Sequence, residues 1–386
     1  MLGYQWLKDG QILPGQTNAT LNLPALQITQ SGRYQVVVRD LYGLTISLPA
    51  LVGVNNAPLA DWGLNSNGQL GLGNTTQRNT PIVVSNNVVA VAAGYAHSLY
   101  LTTDGRLWSM GYNLNGQLGI GNNTQKTTPV LVTNNVVAIA AGYYHSLLVD
   151  SIGTLWVVGY NNNGQLGLGN TTTQTSPVAL ATNVVAVAAG QYHSLYLTAD
   201  GTLWGMGNNA NGQLGIGNTT QQKSPVAIAT NVVALAGGNS HSLFLTADGQ
   251  LWSMGYNLNG QLGIGSTTQQ TSPVLVTNNV TTMAAGNSHS LFVTTSGALW
   301  GMGLNSNGQL GIGNTTQQTS PVFITNGVTS VSAGSAHSLL VSTNGSLWAM
   351  GLNSNAQLGL GSTIQQNAPV LVAGWTVASV GSMPMS

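Results

Sequence analysis

The chain lacks cysteine altogether and has very few charged side chains for its 386 residues. Without cysteine it cannot form a disulfide, a zinc–thiolate site or a thiol nucleophile, and the redox compartment is left undecided. Seven Lys or Arg side chains balance seven Asp side chains, Glu is absent, and the formal net charge is zero. Nucleic-acid affinity rests on roughly six to ten phosphate contacts, and binding to anionic lipid rests on a polybasic patch. The composition therefore predicts no nucleic-acid partner and no attachment to a membrane surface.

Long apolar runs are also missing. No stretch approaches the roughly 20 consecutive apolar residues of a membrane span, and residues 1–4 have neither the basic start nor the apolar core of a secretory signal. We therefore expect no membrane insertion, and we expect that no signal segment is present in this chain. Hydrophobic residues make up 42% of the sequence, enough for a large core. Residues 249–386 contain no charged side chain, and such a surface favours association.

A period of 48 residues organises most of the sequence. Six histidines and six tryptophans recur at this interval, and Gly-Gln-Leu-Gly recurs with them in six units, with residues 356–359 as a seventh, altered copy. The histidines are His97, His145, His193, His241, His289 and His337. Recurrence at a fixed period of this size indicates a repeat architecture, and seven copies leave about 50 residues for something else.

Each unit contains four short predicted strands. In the first unit they cover residues 81–84, 88–93, 98–102 and 107–111, and Asp104-Gly105 is predicted to be a hairpin turn. Four strands in a unit of this length are typical of a β-propeller blade. A helical solenoid is disfavoured because Gly recurs every few residues and no apolar stripe keeps a period of about 3.6 residues. The sequence therefore predicts an all-β fold.

The repeated motifs resemble those of a known family. Each unit reads Gly-x-x-His-Ser-Leu, then Asp-Gly-x-Leu-Trp, then Gly-x-Asn-x-Asn-Gly-Gln-Leu-Gly-x-Gly, then Pro-Val, as in residues 142–145 and 164–167. This order resembles the regulator of chromosome condensation repeat, over roughly residues 50–381. The resemblance implies a seven-bladed β-propeller whose loop faces bind proteins. One departure is that only Trp62 stands directly before the Gly that ends its strand, whereas later units carry Trp two residues earlier.

Residues 50–386 are expected to form the propeller, with both ends of this segment closing the ring. Residues 369–380 match the first two strands of a seventh unit, and residues 50–63 match the other two. A seventh blade shared in this way leaves no free strand edge. Residues 44–54 fit the N-terminal segment equally well, and the sequence does not decide between the two assignments.

Residues 1–49 resemble the second half of an immunoglobulin-like domain. Residues 4–10 are similar to its third strand, with Trp6 as the core tryptophan, and residues 31–34 are similar to its tyrosine corner. Val36 stands where antibody domains carry Cys, as in bacterial relatives. The first two strands of such a domain are missing, so either the chain is part of something longer or another chain completes the sandwich.

Candidates for catalysis or metal binding are scarce. Symmetry-related histidines of a propeller do not converge on one metal ion, so we assign the six histidines structural roles, with each ring nitrogen bonded to backbone. Asp104 is replaced by Ser296 and Asn344 in other units, which suits a turn and not a general acid. His and Ser are neighbours on one strand and point to opposite faces, so they form no dyad. We therefore predict that the protein is not an enzyme and has no cofactor and no metal.

A recognition surface is predicted where the units differ. Strands two and four of a blade run the same way, so the Gly-x-x-His loop and the Gly-x-Asn-x-Asn loop open on one face. Tyr is favoured at recognition surfaces because it offers a large apolar area and a hydroxyl at low entropic cost. The binding-face candidates are Tyr95, Tyr112, Leu114, Tyr143, Tyr144, Tyr160, Tyr192 and Tyr256. The alternative interpretation is that each Tyr packs on its neighbouring Gly and that the differences are drift.

The sequence favours a non-catalytic bacterial module, extracellular or at the cell surface, that binds a protein or glycan through this tyrosine-rich face. Two alternatives stay open. One is a self-associating structural segment of a large bacterial surface protein or fibre, and the other is a propeller-type inhibitor of an enzyme, since the family includes a propeller inhibitor of beta-lactamases. The family's exchange-factor role on chromatin is disfavoured because the charged surface that it needs is absent.

Overall fold

A computed structural model describes residues 2–24, 26–54 and 57–377 of the chain. Apart from strands, the only regular element in these residues is a 3₁₀ turn, Ile28–Gln30. No helix in this part of the chain is long and apolar enough to cross a membrane. The prediction of an all-β fold is confirmed.

The N-terminal residues form one antiparallel sheet with the order β2-β1-β3-β4, in which β5 also pairs with β3. Its strands are β1 (Gly3–Lys8), β2 (Gln11–Ile12), β3 (Gly32–Arg39), β4 (Leu44–Ile46) and β5 (Ala50–Val52). The turn between β1 and β2 is Asp9-Gly10, with φ angles of 54° and 78°. Two positive φ angles are what a tight hairpin turn of type I′ requires, and Asp-Gly satisfies them at little cost.

The rest of the described chain forms one two-stranded and six four-stranded antiparallel sheets, which we call the ring. The two-stranded sheet consists of β6 (Leu59–Gly63) and β7 (Arg78–Ser85). The four-stranded sheets contain β8 (Val88–Ala93), β9 (His97–Thr102), β10 (Leu107–Gly111) and β11 (Lys126–Thr133); β12 (Val136–Ala141), β13 (His145–Asp150), β14 (Leu155–Gly159) and β15 (Gln174–Ala181); β16 (Val184–Ala189), β17 (His193–Thr198), β18 (Leu203–Gly207) and β19 (Gln222–Ala229); β20 (Val232–Gly237), β21 (His241–Thr246), β22 (Leu251–Gly255) and β23 (Gln270–Thr277); β24 (Val280–Ala285), β25 (His289–Thr294), β26 (Leu299–Gly303) and β27 (Gln318–Thr325); and β28 (Val328–Ala333), β29 (His337–Ser342), β30 (Ser346–Gly351) and β31 (Gln366–Thr376).

Each four-stranded sheet is offset by one strand from the sequence unit. In the first sheet β8 is innermost, β9 and β10 follow, and the outermost strand β11 comes from the next unit. The four strands of the unit were predicted close to their observed bounds, but their grouping into a sheet was not. Every sheet therefore contains strands from two successive repeats.

One recurring backbone hydrogen bond joins each sheet of the ring to the next. A Gly amide in the Gly-Gln-Leu-Gly-x-Gly loop donates to a carbonyl in the outermost strand of the next sheet, at 2.8 or 2.9 Å. The donor and acceptor pairs are Gly73–Thr127, Gly121–Thr175, Gly169–Lys223, Gly217–Thr271, Gly265–Thr319, Gly313–Asn367 and Gly361–Asn79. The last pair leads back to β7, so the series of sheets closes on itself.

The strands next to the two-stranded sheet differ from the expected closure. β5 pairs with β3 of the N-terminal sheet and not with β6, and β31 is the outermost strand of the sixth four-stranded sheet. A three-residue apolar strand such as β5 fits either partner, and β3 is the neighbour that receives it. Residues 378–380, which were also assigned to the closure, lie outside the described residues.

The apolar face of the N-terminal sheet packs on the ring. Leu7, Val37 and Ile46 are at most 2% exposed and share a core with residues of the third, fourth and fifth four-stranded sheets. Ile46 N also donates to Ala199 O at 2.7 Å. Trp6 was predicted to be a core residue, but it is half-buried and its Nε1 donates to Asn18 O, because Leu7 occupies the inward-facing position of β1. The ring thus covers the face that a second sheet covers in a sandwich.

A proline lies within the outermost strand of every sheet of the ring. These residues are Pro81, Pro129, Pro177, Pro225, Pro273, Pro321 and Pro369. Proline has no N–H to donate, so it weakens the free edge as a template for another strand. The ring is therefore protected against association by strand pairing.

Buried histidines link neighbouring sheets through serine hydroxyls. In five pairs, His Nε2 lies 2.8–3.0 Å from Ser Oγ of the next sheet. The pairs are His97–Ser146, His145–Ser194, His193–Ser242, His241–Ser290 and His289–Ser338. Each of these serines donates to a Gln backbone carbonyl, so the ring nitrogen must supply the proton in the His–Ser bond. The predicted backbone acceptor was wrong; the partner is a hydroxyl 49 residues further along the chain.

The Gly of the Gly-x-x-His motif makes room for the imidazole ring. A Cβ added at Gly190 would lie 2.1 Å from His193 Cε1 and 2.4 Å from Gly238 O. Real Cβ atoms do not approach other atoms so closely, so any side chain there would displace the ring or the neighbouring loop. The two residues between this Gly and His, Gln191 and Tyr192, are half-buried.

Replacing Ser194 by Ala is expected to destabilise the protein by about 1–3 kcal/mol, because it leaves the buried His145 N–H and the Gln165 carbonyl without partners. Urea denaturation measures the loss. Ser98 is the matched control: it holds the same repeat position, but its hydroxyl makes no hydrogen bond within the described residues. Equal losses for Ser194→Ala and Ser98→Ala would contradict the assigned role of the His–Ser bond.

Candidate binding face

The two variable loops of each sheet meet at one end of the ring. Tyr160 N in the second loop donates to Tyr144 O in the first loop of the same sheet, at 2.9 Å. Between neighbouring sheets, Tyr143 N donates to Gln191 O at 3.3 Å. These bonds hold the loops of adjacent sheets side by side, as the strand directions predicted.

Six tyrosines from three neighbouring sheets form a contiguous group, which we call the tyrosine cluster. Tyr95 and Tyr143 stack with ring centroids 4.1 Å apart. Tyr144 is central and contacts four of the other rings at centroid distances of 4.7–6.3 Å. Tyr192 lies 5.7 Å from Tyr143 and 5.9 Å from Tyr160. The members of the cluster are Tyr95, Tyr112, Tyr143, Tyr144, Tyr160 and Tyr192.

Three hydroxyls of the tyrosine cluster, those of Tyr143, Tyr144 and Tyr192, stay protonated at neutral pH. All six rings are half-buried. Burial raises the pKa of Tyr143, Tyr144 and Tyr192, and neighbouring phenols raise these pKa values further. The cluster therefore offers apolar ring surface together with hydroxyls that can donate and accept hydrogen bonds.

Two of the predicted face residues lie outside the cluster. Leu114, in the loop that follows Tyr112, is 61% exposed. Tyr256 is half-buried in the fourth four-stranded sheet and has no aromatic contact among the described residues. The structure thus brings six of the eight candidates together.

A buried asparagine holds each of the second loops, and sequence reasoning gave it no role. Asn113 Nδ2 donates to Asn122 O and Thr124 O at 2.8 and 3.0 Å, and its Oδ1 accepts from Leu118 N. The side chain is fully buried, and the same bonds recur every 48 residues. The available signal was the recurrence of this Asn beside a position that changes from unit to unit.

The six histidines are buried and do not contribute to this face. Burial lowers the pKa of each ring to about 3 or 4, so they are neutral at physiological pH. Each His–Ser pair has the atoms of a catalytic dyad, but the serines are at most 2% exposed and donate their protons to carbonyls. Among the described residues, no three His, Asp or Glu side chains are grouped to hold a metal ion.

A central cavity of about 460 Å³ lies inside the ring, lined by the innermost strands and bounded by residues of the N-terminal sheet such as Gln11 and Arg33. Asp61 of β6 lines this cavity, and its Oδ1 accepts from Trp62 N at 2.9 Å. Burial raises the pKa of the Asp61 carboxyl to about 7, against the opposing effect of that hydrogen bond. Sequence reasoning missed Asp61; the signal was a carboxylate where the other units carry Ser, Val, Gly or Ala.

Comparison with known families decides the classification. A model of the RCC1-like domain matches residues 50–275 and, in an overlapping second match, residues 178–383. Together the two matches span the whole ring. The chain belongs to the RCC1-like domain family. The resemblance seen in the repeat motifs is thereby confirmed, and the ring is an RCC1-type β-propeller.

Solved RCC1-type structures have a similar fold. Yeast RCC1 (Prp20), solved bound to Kap60, is 25% identical with a TM-score of 0.74, over 84% of this chain and 84% of that chain. Prp20p from Saccharomyces cerevisiae, described together with its binding to Gsp1p and histones, gives 25% identity and a TM-score of 0.73, over 82% and 86%. Human WBSCR16 gives 25% identity and 0.72, over 81% and 94%. The similarity extends across most of each propeller.

The tyrosine cluster is expected to make stability depend on pH above about 10, the ordinary pKa of a phenol. The unfolded Tyr143 and Tyr144 phenols ionise there while the folded ones keep their protons, so stability is retained below pH 10 and falls as pH rises from about 10 towards the raised pKa values. We expect a Tyr143→Phe and Tyr144→Phe double variant to lose less stability between pH 8 and pH 11 than the parent in urea denaturation. Tyr42→Phe, at a 97% exposed site, is the control and should follow the parent. Identical pH profiles for all three proteins would contradict the burial of the phenols.

Asp61 is expected to reduce stability as pH rises from about 4 to about 7, because the unfolded carboxyl ionises near pH 4 and the folded one near pH 7. Asp61→Ser places the residue found at positions 109 and 253 and should be more stable than the parent at pH 8 by about 1–3 kcal/mol. Thermal unfolding at pH 4 and pH 8 measures the change. Asp104→Ser, at an exposed turn, should not stabilise the protein at pH 8. A stabilisation by Asp61→Ser that is equal at both pH values would show that ionisation is not its cause.

Proposed function

We propose that this RCC1-type propeller is a non-catalytic module that binds a protein partner through the tyrosine cluster. The observation that carries the proposal is the cluster itself: six rings in mutual contact on one face, each half-buried. Tyrosine is enriched at binding hot spots because it is large, rigid and able to form hydrogen bonds. The equivalent loop positions of the other three four-stranded sheets hold Asn, Ser, Ala and Leu, with Tyr256 as their single tyrosine.

The position of the N-terminal sheet supports this choice of face. Leu44 lies against Gly201 and Leu48 against Gly153, both in hairpin turns at the end of the ring opposite the tyrosine cluster. The sheet therefore occupies part of that opposite end. The face with the tyrosine cluster is the one that a large partner reaches more easily.

The relatives support a protein partner as the ligand class. The yeast protein was solved bound to Kap60, and Prp20p was examined for binding to Gsp1p and histones. RCC1-type propellers thus serve as protein-binding modules. By analogy, a protein partner is preferred over a glycan for this chain, although the ligand itself differs wherever the loops differ.

Catalysis is not part of the proposal. The serine hydroxyls beside the histidines are buried and committed to carbonyl acceptors. Asp104, Asp200 and Asp248 each accept a hydrogen bond from a Thr hydroxyl in their own turn, at 2.5–2.6 Å. These groups are engaged in local structure and are poorly placed to act on a substrate.

We further propose seven blades, an immunoglobulin-like N-terminal sheet, and an extracellular or cell-surface location for a bacterial protein. The seven recurring Gly–carbonyl bonds favour the blade count, with β6 and β7 as parts of the seventh blade. Tyr34 is 5% exposed and its hydroxyl donates to Gln30 O at 2.8 Å, which is the geometry of a tyrosine corner. The location rests on the resemblance of this sheet to domains of bacterial surface proteins.

A self-associating structural segment is the second candidate, because the outermost strands expose apolar side chains. Leu131, Leu275, Phe323 and Leu371 are 41–45% exposed at equivalent positions. The proline in each of these strands opposes edge pairing, so association would have to use side chains. An enzyme-inhibitor role is a special case of protein binding by the cluster.

The test replaces the centre of the cluster. Immobilised parent chain is compared with a Tyr112, Tyr143, Tyr144 and Tyr160 to Ser variant in capture from a bacterial secretome and on a glycan array. We expect the parent to retain a protein that the variant loses, and the measured affinity for that protein to fall at least about thirtyfold.

Tyr256→Ser is the matched control, since Tyr256 lies in the same type of loop but outside the cluster. Circular dichroism must show that all variants are folded. If the fourfold variant is not folded, the single variant Tyr144→Ser takes its place. A partner retained equally by every variant would overturn the proposal. Retention of a glycan alone would overturn the ligand class, and concentration-dependent mass in light scattering without a partner would favour the structural alternative.

A further inference from the structure

Most charged side chains of the propeller are divided between its two faces, and the exception is Arg106, which pairs with Asp104 in a hairpin of the acidic end. Arg78, Lys126 and Lys223 lie at the start of the outermost strands β7, β11 and β19, at the end of the ring that carries the tyrosine cluster. The hairpins at the opposite end hold four carboxylates, and the remaining three lie in the N-terminal sheet and the cavity. The four in the hairpins are Asp104, Asp150, Asp200 and Asp248. Since the sequence has seven Asp and no Glu, no side-chain carboxylate is left for the face with the cluster.

Two of these cations lie near the loops that contribute Tyr112 and Tyr160 to the tyrosine cluster. Lys126 pairs in register with Gly111, the residue directly before Tyr112. Lys126 belongs to the first four-stranded sheet and Lys223 to the third. The Lys223 backbone lies close to Gly164, in the loop that begins with Tyr160: a Cβ added at Gly164 would be 2.8 Å from Lys223 Cα. Lys126 is half-buried and Lys223 is exposed. The backbone of one lysine therefore lies close to each of the two loops that begin with Tyr112 and Tyr160.

We propose that the tyrosine cluster binds an acidic peptide segment of its protein partner, with carboxylates against Lys126 and Lys223 and an apolar side chain on the rings between them. This inference rests on the function proposed above and names the chemistry of the ligand. A carboxylate meets two cations and protonated phenol donors on this face and no like charge. A basic ligand would gain contact with the rings but would face both lysines.

The small number of cations on this face favours an acidic peptide over nucleic acid as the ligand. Three cations cannot replace the roughly six to ten phosphate contacts that give nucleic acids their affinity. They are enough to select a peptide with two or three acidic residues, because charge complementarity acts mainly on orientation and specificity.

A phage-displayed library of random 12-residue peptides, sorted against the intact chain at low salt, tests the proposal. We expect the selected peptides to be enriched in Asp and Glu around an apolar residue. Their affinity should fall about tenfold in a Lys126→Gln and Lys223→Gln double variant, and it should fall as salt is raised. Arg106→Gln, at a hairpin of the opposite end, is the matched control and should bind like the parent.

The charge-reversed variant Lys126→Glu and Lys223→Glu should select basic peptides from the same library. Selected peptides without acidic enrichment, or with affinities that the lysine variants leave unchanged, would overturn the acidic ligand. If such peptides still lose binding in Tyr144→Ser, the tyrosine face itself stands and only the ligand chemistry is wrong. Peptides indifferent to Tyr144→Ser would overturn the proposed function. An oligonucleotide can also be added to the bound peptide at the same salt concentration. Displacement of the peptide at a micromolar oligonucleotide concentration would overturn the choice of a peptide over nucleic acid.

Discussion

The contact between an imidazole ring and a glycine is the constraint on which the blade junctions depend. The imidazole occupies the space beside the glycine backbone and donates a hydrogen bond to a serine of the next sheet. The hydroxyl of that serine donates to a loop carbonyl. One side chain therefore fixes a strand, a neighbouring sheet and a loop together. Burial keeps the imidazole neutral, so the His–Ser hydrogen bond does not respond to pH in the physiological range. The two residues between Gly and His are the part of the motif that this link leaves free.

The sequence was informative about strands and much less so about how they pair. Periodicity and turn residues located the strands of a unit, because side-chain alternation and Gly or Asp turns are local properties. The grouping of strands into sheets, the partner of Ala50–Val52 and the serine partners of five histidines all depend on contacts between distant segments. A repeat also has no natural starting point, so the sheet boundary within the 48-residue period could not be read from the pattern.

The candidate face shows the same division. The direction of the strands placed the variable tyrosines at one end of the ring, and the structure brings six of them into contact. Asp61 escaped notice because nothing in its local sequence shows that β6 lines the cavity. Trp6 was assigned to a core by analogy with sandwich domains, whereas the N-terminal sheet buries Leu7, Val37 and Ile46 against the ring. An apolar sheet face is covered by whichever surface is available, and here that surface belongs to another kind of domain.

The modular origin of the tyrosine cluster has a consequence for how such a surface changes over generations. Each repeat brings its own pair of free loop residues, and the glycine, histidine, serine and asparagine that support them are the same in neighbouring copies. Unequal crossing-over between nearly identical repeats can therefore exchange one blade's contribution without disturbing the rest. A new combination of loop residues can therefore arise by exchange of whole repeats, since each repeat is already compatible with its neighbours.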